Sequence, residues 1–406
     1  MTDPHRHHQQ HPSVSIIGDA FADLFCFLGD SALPKPGGDA RLTQPIRTVA
    51  GGSGLNTATH LSSLGRSRSA AGACSGSGAM DVSLHTVLNE SDDYGRLLSS
   101  HAKQHGFDLV NCRRAFDDND DNSSSSTGHC TVIVSRGERS FMTHLGCVSA
   151  FKADHVDVDG VLLGTGDNGS KSGNSDHHLH VHIAGYYNLG GFFDGQLKKL
   201  LQTIRGRRGS GTTISLVPQH DATEVWDGGL LDLLPLVDYL ICSELEAKCI
   251  ANANNVGSAN AGDQGETTST ATTGISVSND AFQQLASFFH RASPNTCVVV
   301  TLGSKGAVAL RDGEIVHHQE APVNISDPID PTGAGDAFAA GFLHGIHRLR
   351  EESEIGDDDS SILRSGLFHG CLLGTACVMK EGASTPATSG EIEALIQKSS
   401  PAWEMS

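Results

Sequence analysis

Asp330-Pro-Thr-Gly-Ala-Gly-Asp-Ala-Phe-Ala-Ala-Gly-Phe342 is the stretch that decides the fold of this chain. Pro331 and the turn residues after it end the preceding segment, and the apolar run that follows predicts a helix that packs through small residues. Gly333, Ala334 and Gly335 then lie at the start of that helix, where unpaired amides and the helix dipole attract an anion. We therefore predict an anion hole formed by these three residues.

Asp336 falls in the first turn of the predicted helix, where the dipole favours the ionised carboxylate. An ionised aspartate beside an anion-binding turn suits phosphoryl transfer, because the amides hold the phosphoryl group while the carboxylate takes a proton from the attacking hydroxyl. The alternative is a carboxylate that only caps the helix. A short Gly-x-Gly-Asp pattern by itself leaves both interpretations open.

Composition limits the classes of function. The chain has 406 residues, 38% of them hydrophobic, which is enough for a large core in one or two domains. Lys and Arg number 28 against 47 Asp and Glu, a net charge of −19, which disfavours binding to nucleic acid or to an anionic membrane. The amino terminus lacks an apolar signal core, and the ten cysteines include no Cys-x-x-Cys pair. We therefore expect a reduced, cytoplasmic protein.

Short apolar runs alternate with helical patterns along most of the chain. This alternation predicts an α/β fold of three layers, α/β/α, in which a mainly parallel central sheet is covered by helices on both faces. The predicted strands are Val14–Ile17, His180–Ala184, Thr213–Val217, Tyr239–Cys242 and Cys297–Leu302. The predicted helices are Leu55–Leu64, Tyr94–His105, Gly190–Ile204, Leu230–Leu234, Asp280–His290, Gly333–Leu349 and Ile362–Met379.

A second group of strand patterns interrupts the alternation. His129–Val134 and Ser140–His144 predict a hairpin, and Ala20–Leu28 and Leu42–Val49 predict two further strands. Together, about 20–49 and 127–147, they predict a small β-sheet that serves as a lid over a ligand site, the alternative being a peripheral hairpin without a ligand. Its open edges also suggest a homodimer formed through the lid.

Polar, low-complexity segments lie outside these elements. Residues 1–12 form a His-rich tail that we expect to be disordered, and 13–400 form the folded domain. Four stretches rich in Ser, Gly, Asn, Asp or Thr predict surface insertions; they are 117–126, 164–178, 252–275 and 351–361.

Further motifs connect the Asp330–Phe342 stretch to a known family. Ala50-Gly-Gly-Ser-Gly-Leu-Asn-Thr-Ala-Thr-His-Leu-Ser-Ser-Leu-Gly65 resembles the amino-terminal signature of the ribokinase-like (PfkB) carbohydrate kinases, and Asp330–Phe342 resembles their second signature. Thr301-Leu-Gly-Ser-Lys-Gly306 is similar to their nucleotide-side turn, and Gly137–Phe141 is similar to their lid. The matches keep the family's order from about Val14 to Ile396. The resemblance implies a ribokinase-like fold and transfer of the γ-phosphate of ATP to a hydroxyl of a sugar or sugar acid.

The resemblance also implies roles for single residues. Asp336 becomes the general base, with Gly333, Ala334 and Gly335 as its anion hole. Four residues are implied to bind the sugar hydroxyls, because their side chains or backbone suit a polyol: Asp23, Gly51, Gly52 and Asn56. The residues implied to bind the nucleotide are Thr301, Gly303 and Gly306. The alternatives are a solvent-facing turn carboxylate for Asp23 and a polar residue at a helix start for Asn56.

Metal binding is implied at two positions. The family's Asn-x-x-Glu near Mg²⁺ is Ser243-Glu-Leu-Glu246 here, so Glu246 is kept as a water-mediated Mg²⁺ ligand but Ser243 departs from the pattern. Asp330 resembles the position whose backbone helps to bind a monovalent cation in potassium-activated members. His178, His180 and His182 share one face of a strand, yet they lack a carboxylate or cysteine partner in register, so we disfavour a metal there.

Two other functions remain open. A nucleoside kinase of the same fold would need an apolar base pocket, for which the lid offers Phe21, Phe25, Phe27 and Phe141, and Tyr186 and Tyr187 suit either a pocket or the core. A catalytically inert kinase-like regulatory protein would not need to keep Asp336 and its glycines. A P-loop NTPase is disfavoured because no Gly-x-x-x-x-Gly-Lys string occurs.

Overall fold

The computed structural model describes residues 13–70, 80–115, 125–163, 178–255, 279–323, 325, 328–352 and 358–399. These residues form a nine-stranded sheet and a separate four-stranded sheet. The large sheet contains β1 (Ser13–Gly18), β4 (Asp81–Thr86), β5 (Asp108–Asn111), β8 (Leu179–Ala184), β9 (Thr212–Val217), β10 (Tyr239–Ser243), β11 (Cys297–Thr301), β12 (Ala307–Arg311) and β13 (Glu314–Gln319). The small sheet contains β2 (Phe21–Gly29), β3 (Arg47–Gly51), β6 (His129–Ser135) and β7 (Glu138–His144).

The large sheet has the order β13-β12-β11-β10-β9-β8-β1-β4-β5. Its strands are parallel from β5 to β11, whereas β12 and β13 continue it as an antiparallel edge. The chain leaves β1 toward β4 on one side and later returns to β8 on the other, so the order reverses between β1 and β8. Such a reversal opens a crevice at the carboxyl ends of the strands, where α/β proteins bind ligands.

Helices cover both faces of the large sheet, and alternate residues of each strand enter different cores. Ile17, Val298 and Val300 pack in one core, whereas Ile16 and Val299 pack in the other. The helices are α1 (Ser53–Ala70), α2 (Asp93–His105), α3 (Val158–Leu163), α4 (Gln196–Arg208), α5 (Leu230–Leu233), α6 (Glu244–Asn255), α7 (Asn279–Ala292), α8 (Ala334–Glu352), α9 (Asp359–Val378) and α10 (Ser389–Lys398). The three-layer α/β/α prediction is confirmed, with the small sheet as a separate β layer.

Helices α8 and α9 pack closely through glycines of α8. A Cβ atom at Gly341 would lie 2.3 Å from the carbonyl oxygen of His369, and one at Gly345 would lie 2.3 Å from that of Ser365. Larger residues there would force the helices apart. By length and composition α9 could also cross a membrane, but most of it is buried inside the fold, as in a core helix.

Several elements differ from the sequence-based expectations. Strand β4 was not predicted because its Ser83 and His85 interrupt the apolar run; both are buried, and Ser83 lies 3.2 Å from the hydroxyl of Ser15. Strands β5, β12 and β13 and helices α3, α6 and α10 were also missed, and α4 begins at Gln196 rather than Gly190.

Two predicted insertions begin or end in the wrong place. Residues 252–255 continue α6, residues 351–352 end α8, and residues 359–361 belong to the first turn of α9. Most of the four insertions and the tail at 1–12 lie outside the described residues. In the small sheet β3 and β7 are the edge strands, and Phe141 and Met142 on β7 are each 57% exposed. The homodimer through this sheet stays a prediction.

Candidate active site

The crevice between β1 and β8 brings together polar side chains from distant parts of the chain. Asp19 follows β1 and is 1% exposed. Its carboxylate accepts a hydrogen bond from the amide of Gly54 at 3.2 Å and one from Nδ2 of Asn188, which follows β8, at 2.6 Å. The start of α1 and the ends of two neighbouring strands therefore meet at one carboxylate.

Asp336 lies beside this crevice, in the first turn of α8, and is 4% exposed. Its Oδ1 accepts hydrogen bonds from the hydroxyl of Ser53 at 2.8 Å and from Nε2 of Gln219 at 3.0 Å, and its Oδ2 accepts one from Nδ2 of Asn56 at 2.8 Å. All three donors are neutral. Because a carboxylate has about four acceptor positions, one position on Oδ2 remains for an incoming hydroxyl.

The turn before α8 presents backbone donors. Gly333 has a φ of +78°, and a Cβ atom there would lie 2.6 Å from that of Ala383, so only glycine fits. The Ala334 amide donates to Pro331 O at 3.2 Å. The amides of Gly333, Gly335 and Asp336 donate to no described residue, and a Cβ atom at Gly335 would face open space. Two of the three predicted anion-hole residues thus keep a free amide, and Ala334 uses its own in the turn.

A cavity of about 260 Å³ opens from this turn toward the nucleotide-side residues predicted from the sequence. Thr301, Gly303 and Gly306 line one end of it, and Ala334 and Gly335 line the other, with Phe338, Cys371 and Val378 among the apolar residues between them. Asp336 is not among the lining residues. The helix start therefore lies between the cavity and the Asp336 carboxylate.

Asp23 lies on strand β2 of the small sheet, where it pairs with Val49 on β3. Its side chain makes no hydrogen bond or ion pair with any described residue although Asp23 is 8% exposed. A Cβ atom at Gly51 would lie 2.1 Å from Oδ2 of Asp23, so glycine makes room for this carboxylate. Because buried polar groups normally have partners, Asp23 is available to a ligand.

Gly52 and Asn56 form the first turn of α1 beside Asp23. Gly52 has a φ of +92°, and its carbonyl accepts the Asn56 amide at 2.9 Å. Oδ1 of Asn56 is buried without a hydrogen-bond partner among the described residues. Asn56 was predicted to contact a substrate; in this structure its Nδ2 holds Asp336, and its Oδ1 is left for a ligand.

Burial raises the pKa values of the three crevice carboxylates, and repulsion by other carboxylates adds to the shift at Asp23 and Asp336. Burial raises the pKa of Asp336 to about 7 against the hydrogen bonds from Asn56 and Ser53, with Asp19 and Glu246 adding repulsion. Burial raises the pKa of Asp23 to about 7, helped by the charges of Asp19, Asp336 and Asp330. Burial likewise raises the pKa of Asp19 to about 6. None of the three forms an ion pair with a described residue, so the crevice is acidic and uncompensated.

Glu246 and Ser243 form a reciprocal cap at the start of α6. Oε2 of Glu246 accepts the Ser243 amide at 2.8 Å, and the Ser243 hydroxyl accepts the Glu246 amide at 3.2 Å. This is the capping box expected of Ser-x-x-Glu. Ser243 therefore serves as the N-cap of α6, and the second oxygen of Glu246 remains for another ligand.

Asp330 has three partners. Its Oδ1 accepts the Thr332 amide at 2.9 Å and lies 2.9 Å from Nη2 of Arg139, and its Oδ2 accepts the Gly382 amide at 3.0 Å. Arg139 belongs to β7 of the small sheet. The expected K⁺ position is thus tied to the small sheet by an ion pair.

Four polar residues of the crevice escaped the sequence reasoning: Ser53, Asp19, Asn188 and Gln219. Ser53 lies inside the Ala50–Gly65 motif and Asp19 lies four residues before Asp23, so both were within reach of the pattern. Asn188 and Gln219 follow β8 and β9 without a motif, and Gln219 adopts a φ of +64° that its residue type does not announce.

The aromatic residues do not gather in one pocket. Phe21 and Tyr186 are buried in the main core, and Tyr187 packs against that core and lies 5.7 Å from the Trp226 ring. Phe25 and Phe27 pack within the small sheet, whereas Phe141 is exposed. A cluster of lid phenylalanines over a nucleoside base is therefore not formed in this structure.

Comparison with known proteins settles the family. The sequence pattern of the pfkB family carbohydrate kinases matches residues 12–389. The chain belongs to the pfkB family of carbohydrate kinases. Adenosine kinases 1 and 2 of Arabidopsis thaliana are each 22% identical, over 55% and 73% of this chain and 56% and 71% of their own lengths. The first alignment thus spans little more than half of that relative.

Solved structures of the same fold superpose on nearly the whole length of this chain. Ribokinase from Giardia lamblia superposes with a TM-score of 0.67 at 18% identity, covering 94% of this chain and 99% of that one. Ribokinase from Arabidopsis thaliana, solved with ribose and ATP, gives a TM-score of 0.58 at 19% identity over 96% and 99%. The ribokinase-like fold is thereby confirmed.

Proposed function

We propose that this pfkB family member transfers the γ-phosphate of ATP to a hydroxyl of a neutral sugar, with Asp336 as general base. The observation that carries the proposal is the position of the Asp336 carboxylate, one residue beyond an unpaired glycine amide and held by three neutral donors. An acceptor hydroxyl on the open position of Oδ2 would lose its proton to Asp336 while the amides of Gly333 and Gly335 stabilise the transferring phosphoryl group.

The charge of the crevice selects the acceptor. Asp19, Asp23 and Asp336 are all buried and have no ion-pair partner among the described residues. A sugar acid would add a fourth negative charge at low local dielectric, which costs binding free energy. A neutral polyol instead supplies the hydroxyl donors that Asp23 lacks and that Oδ1 of Asn56 can accept. Of the two acceptors implied by the sequence, the structure thus favours the neutral sugar.

The nucleotide would occupy the cavity between Thr301 and Gly335. Its apolar lining by Phe338 and Val378 suits a base, and its end at Gly335 suits the phosphates. Mg²⁺ carried by ATP would neutralise phosphate charge, and Glu246 has one carboxylate oxygen left to hold it through water. The Ser243 hydroxyl is engaged in the helix cap.

A nucleoside is the second candidate acceptor. Two of the similar proteins are adenosine kinases, and a nucleoside is also neutral. Against it, the lid phenylalanines do not face a common pocket. Ribose and adenosine therefore belong in the same test.

The test is a panel of neutral sugars, sugar acids and nucleosides, with ADP release as the measurement. We expect ADP release only with a neutral acceptor. Asp336→Asn should lower turnover by about 10³-fold or more while ADP affinity stays within a few-fold. Release equal for sugar acids and sugars would refute the charge argument, and silence across the panel would favour the inert alternative.

A further inference from the structure

The ion pair between Arg139 and Asp330 joins the small sheet to the turn that forms the anion hole. Asp330 is 2% exposed, and the guanidinium Nη2 of Arg139 lies 2.9 Å from its Oδ1. The same Nη2 donates to the carbonyl of Ile329 at 3.3 Å. The Arg139 side chain is itself 15% exposed, so both charges are largely removed from water.

Asp330, which Arg139 contacts, also accepts hydrogen bonds from two backbone segments. Through Thr332 it holds the turn that leads into Gly333 and α8, and through Gly382 it holds the loop after α9. That loop in turn packs on Gly333, whose Cβ position is closed by Ala383. The position of the anion-hole amides therefore depends on how Asp330 is held.

The surroundings of Asp330 do not fit a monovalent cation. A hard cation needs several oxygen ligands, whereas the Asp330 carboxylate here faces two amide N–H donors and one guanidinium. A second positive charge beside Arg139 would be repelled at short range in a buried site. The K⁺ position implied by the family resemblance is thus filled by a charge of the chain itself.

We propose that Arg139 takes the place of the monovalent cation in this chain and so makes assembly of the anion hole depend on the small sheet rather than on K⁺. A buried carboxylate needs a compensating charge, and Arg139 supplies it only while β7 lies against the core. Arg139 is a positioning residue, since it acts on the phosphate site through Asp330. The inference rests on the proposed kinase function.

A second arginine of the small sheet, Arg47, contacts the same loop after α9 but is more exposed than Arg139. Arg47 of β3 pairs with Glu381 at 2.6 Å, with side chains 40% and 53% exposed. Exposed pairs contribute little. Arg47 therefore steadies the loop from outside, and the charge beneath the anion hole comes from Arg139.

The experiment measures ADP affinity by titration calorimetry on the full chain, in KCl and in choline chloride of equal ionic strength, with Mg²⁺ present. The wild type should bind ADP within twofold in the two salts. Arg139→Met should weaken binding about tenfold in choline chloride and regain most of it in KCl, because K⁺ can then reach Asp330. Arg139→Lys should stay insensitive to the salt.

Arg136→Met is the matched control, since Arg136 is an exposed arginine of the same hairpin; it should leave ADP affinity unchanged in both salts. Tenfold tighter binding of the wild type in KCl would overturn the inference, and this measurement needs no variant. Unchanged affinity of Arg139→Met, or equal loss in both salts, would also overturn it. A wild type that binds no ADP in either salt would remove the proposed function itself.

Discussion

At the scale of single residues, the proposed reaction depends on the ionisation of Asp336. A general base must be deprotonated before it can accept the hydroxyl proton. Burial raises the pKa of this carboxyl to about 7, so at acidic pH the folded protein holds it in the neutral form. The free-energy cost of burial thus produces a base that titrates near physiological pH.

The prediction at this scale concerns the pH profile of kcat/KM, whose fall at acidic pH, the acid limb, reports the ionisation of the base in the free enzyme. We expect kcat/KM to fall about tenfold per pH unit below pH 7, measured by ADP release between pH 5.5 and 8.5. Asp19→Asn should move the limb to lower pH, because it removes a charge that raises the pKa of Asp336. A profile that is flat down to pH 5.5 would contradict the role of Asp336 as base.

Asp23 needs a control of its own, since burial and its acidic neighbours also raise its pKa to about 7. Neighbouring carboxylates titrate as a group, so the wild-type limb alone does not assign the base. If Asp336 is the base, Asp23→Asn should weaken substrate binding and still leave an acid limb in kcat/KM. Loss of that limb in Asp23→Asn would transfer the titration to Asp23.

At the scale of elements, the start of helix α6 combines a structural role with a proposed role in Mg²⁺ binding. The capping box between Ser243 and Glu246 satisfies two backbone amides that the helix leaves unpaired. Asn, the usual family residue at this position, is also a good N-cap. Ser and Asn are therefore interchangeable in stability.

We predict that Ser243→Ala lowers the free energy of unfolding by about 1 kcal/mol, whereas Ser243→Asn leaves it unchanged. Glu246→Gln keeps an acceptor for the Ser243 amide, so it should retain stability but raise the Mg²⁺ concentration needed for half-maximal turnover. Denaturant unfolding and a Mg²⁺ titration of ADP release separate the two roles. Unaltered Mg²⁺ dependence of Glu246→Gln would limit Glu246 to capping.

At the scale of the whole molecule, a group of buried histidines links stability to acid. His347 of α8 packs edge-on against His178 and His180, at ring distances of 4.9 and 5.1 Å, and Arg350 lies 3.1 Å from the His178 ring. Burial lowers the pKa of His347 and His180 well below 6.5, and neighbouring positive charge lowers it further. These rings are neutral in the folded state.

As the pH falls below 6.5, these histidines take up protons in the unfolded chain before they do so in the folded protein. Each of them therefore leaves the free energy of unfolding unchanged above pH 6.5 and lowers it progressively below that pH. His347→Leu removes this penalty. Relative to the wild type, the free energy of unfolding of His347→Leu should therefore be about 2 kcal/mol higher at pH 5 than at pH 8, the value for one histidine with an unfolded pKa of 6.5. Urea unfolding at both pH values measures the difference. The exposed His318→Leu is the control, and an equal effect of His347→Leu at both pH values would contradict the prediction.

The sequence by itself determined the elements whose signals are local. Short continuous apolar runs identified the buried parallel strands, and proline, glycines and small residues identified the start and packing face of α8. The same local signals placed Asp336 in the first turn of α8, directly after Gly333 and Gly335, whereas the nucleotide role of Thr301, Gly303 and Gly306 was implied only by the family resemblance. Strand β4 was lost because its polar Ser83 and His85 are paired only in the folded sheet.

Only the tertiary structure decided which distant residues meet. Gln219 and Ser53 reach Asp336 through the ends of different elements, Asn188 reaches Asp19 across the strand reversal, and Arg139 reaches Asp330 from the other sheet. Such contacts leave no local pattern, because they satisfy charges and hydrogen bonds that arise only when burial removes water. For the same reason the acidity of the crevice, and with it the proposed preference for a neutral acceptor, follows from packing rather than from composition.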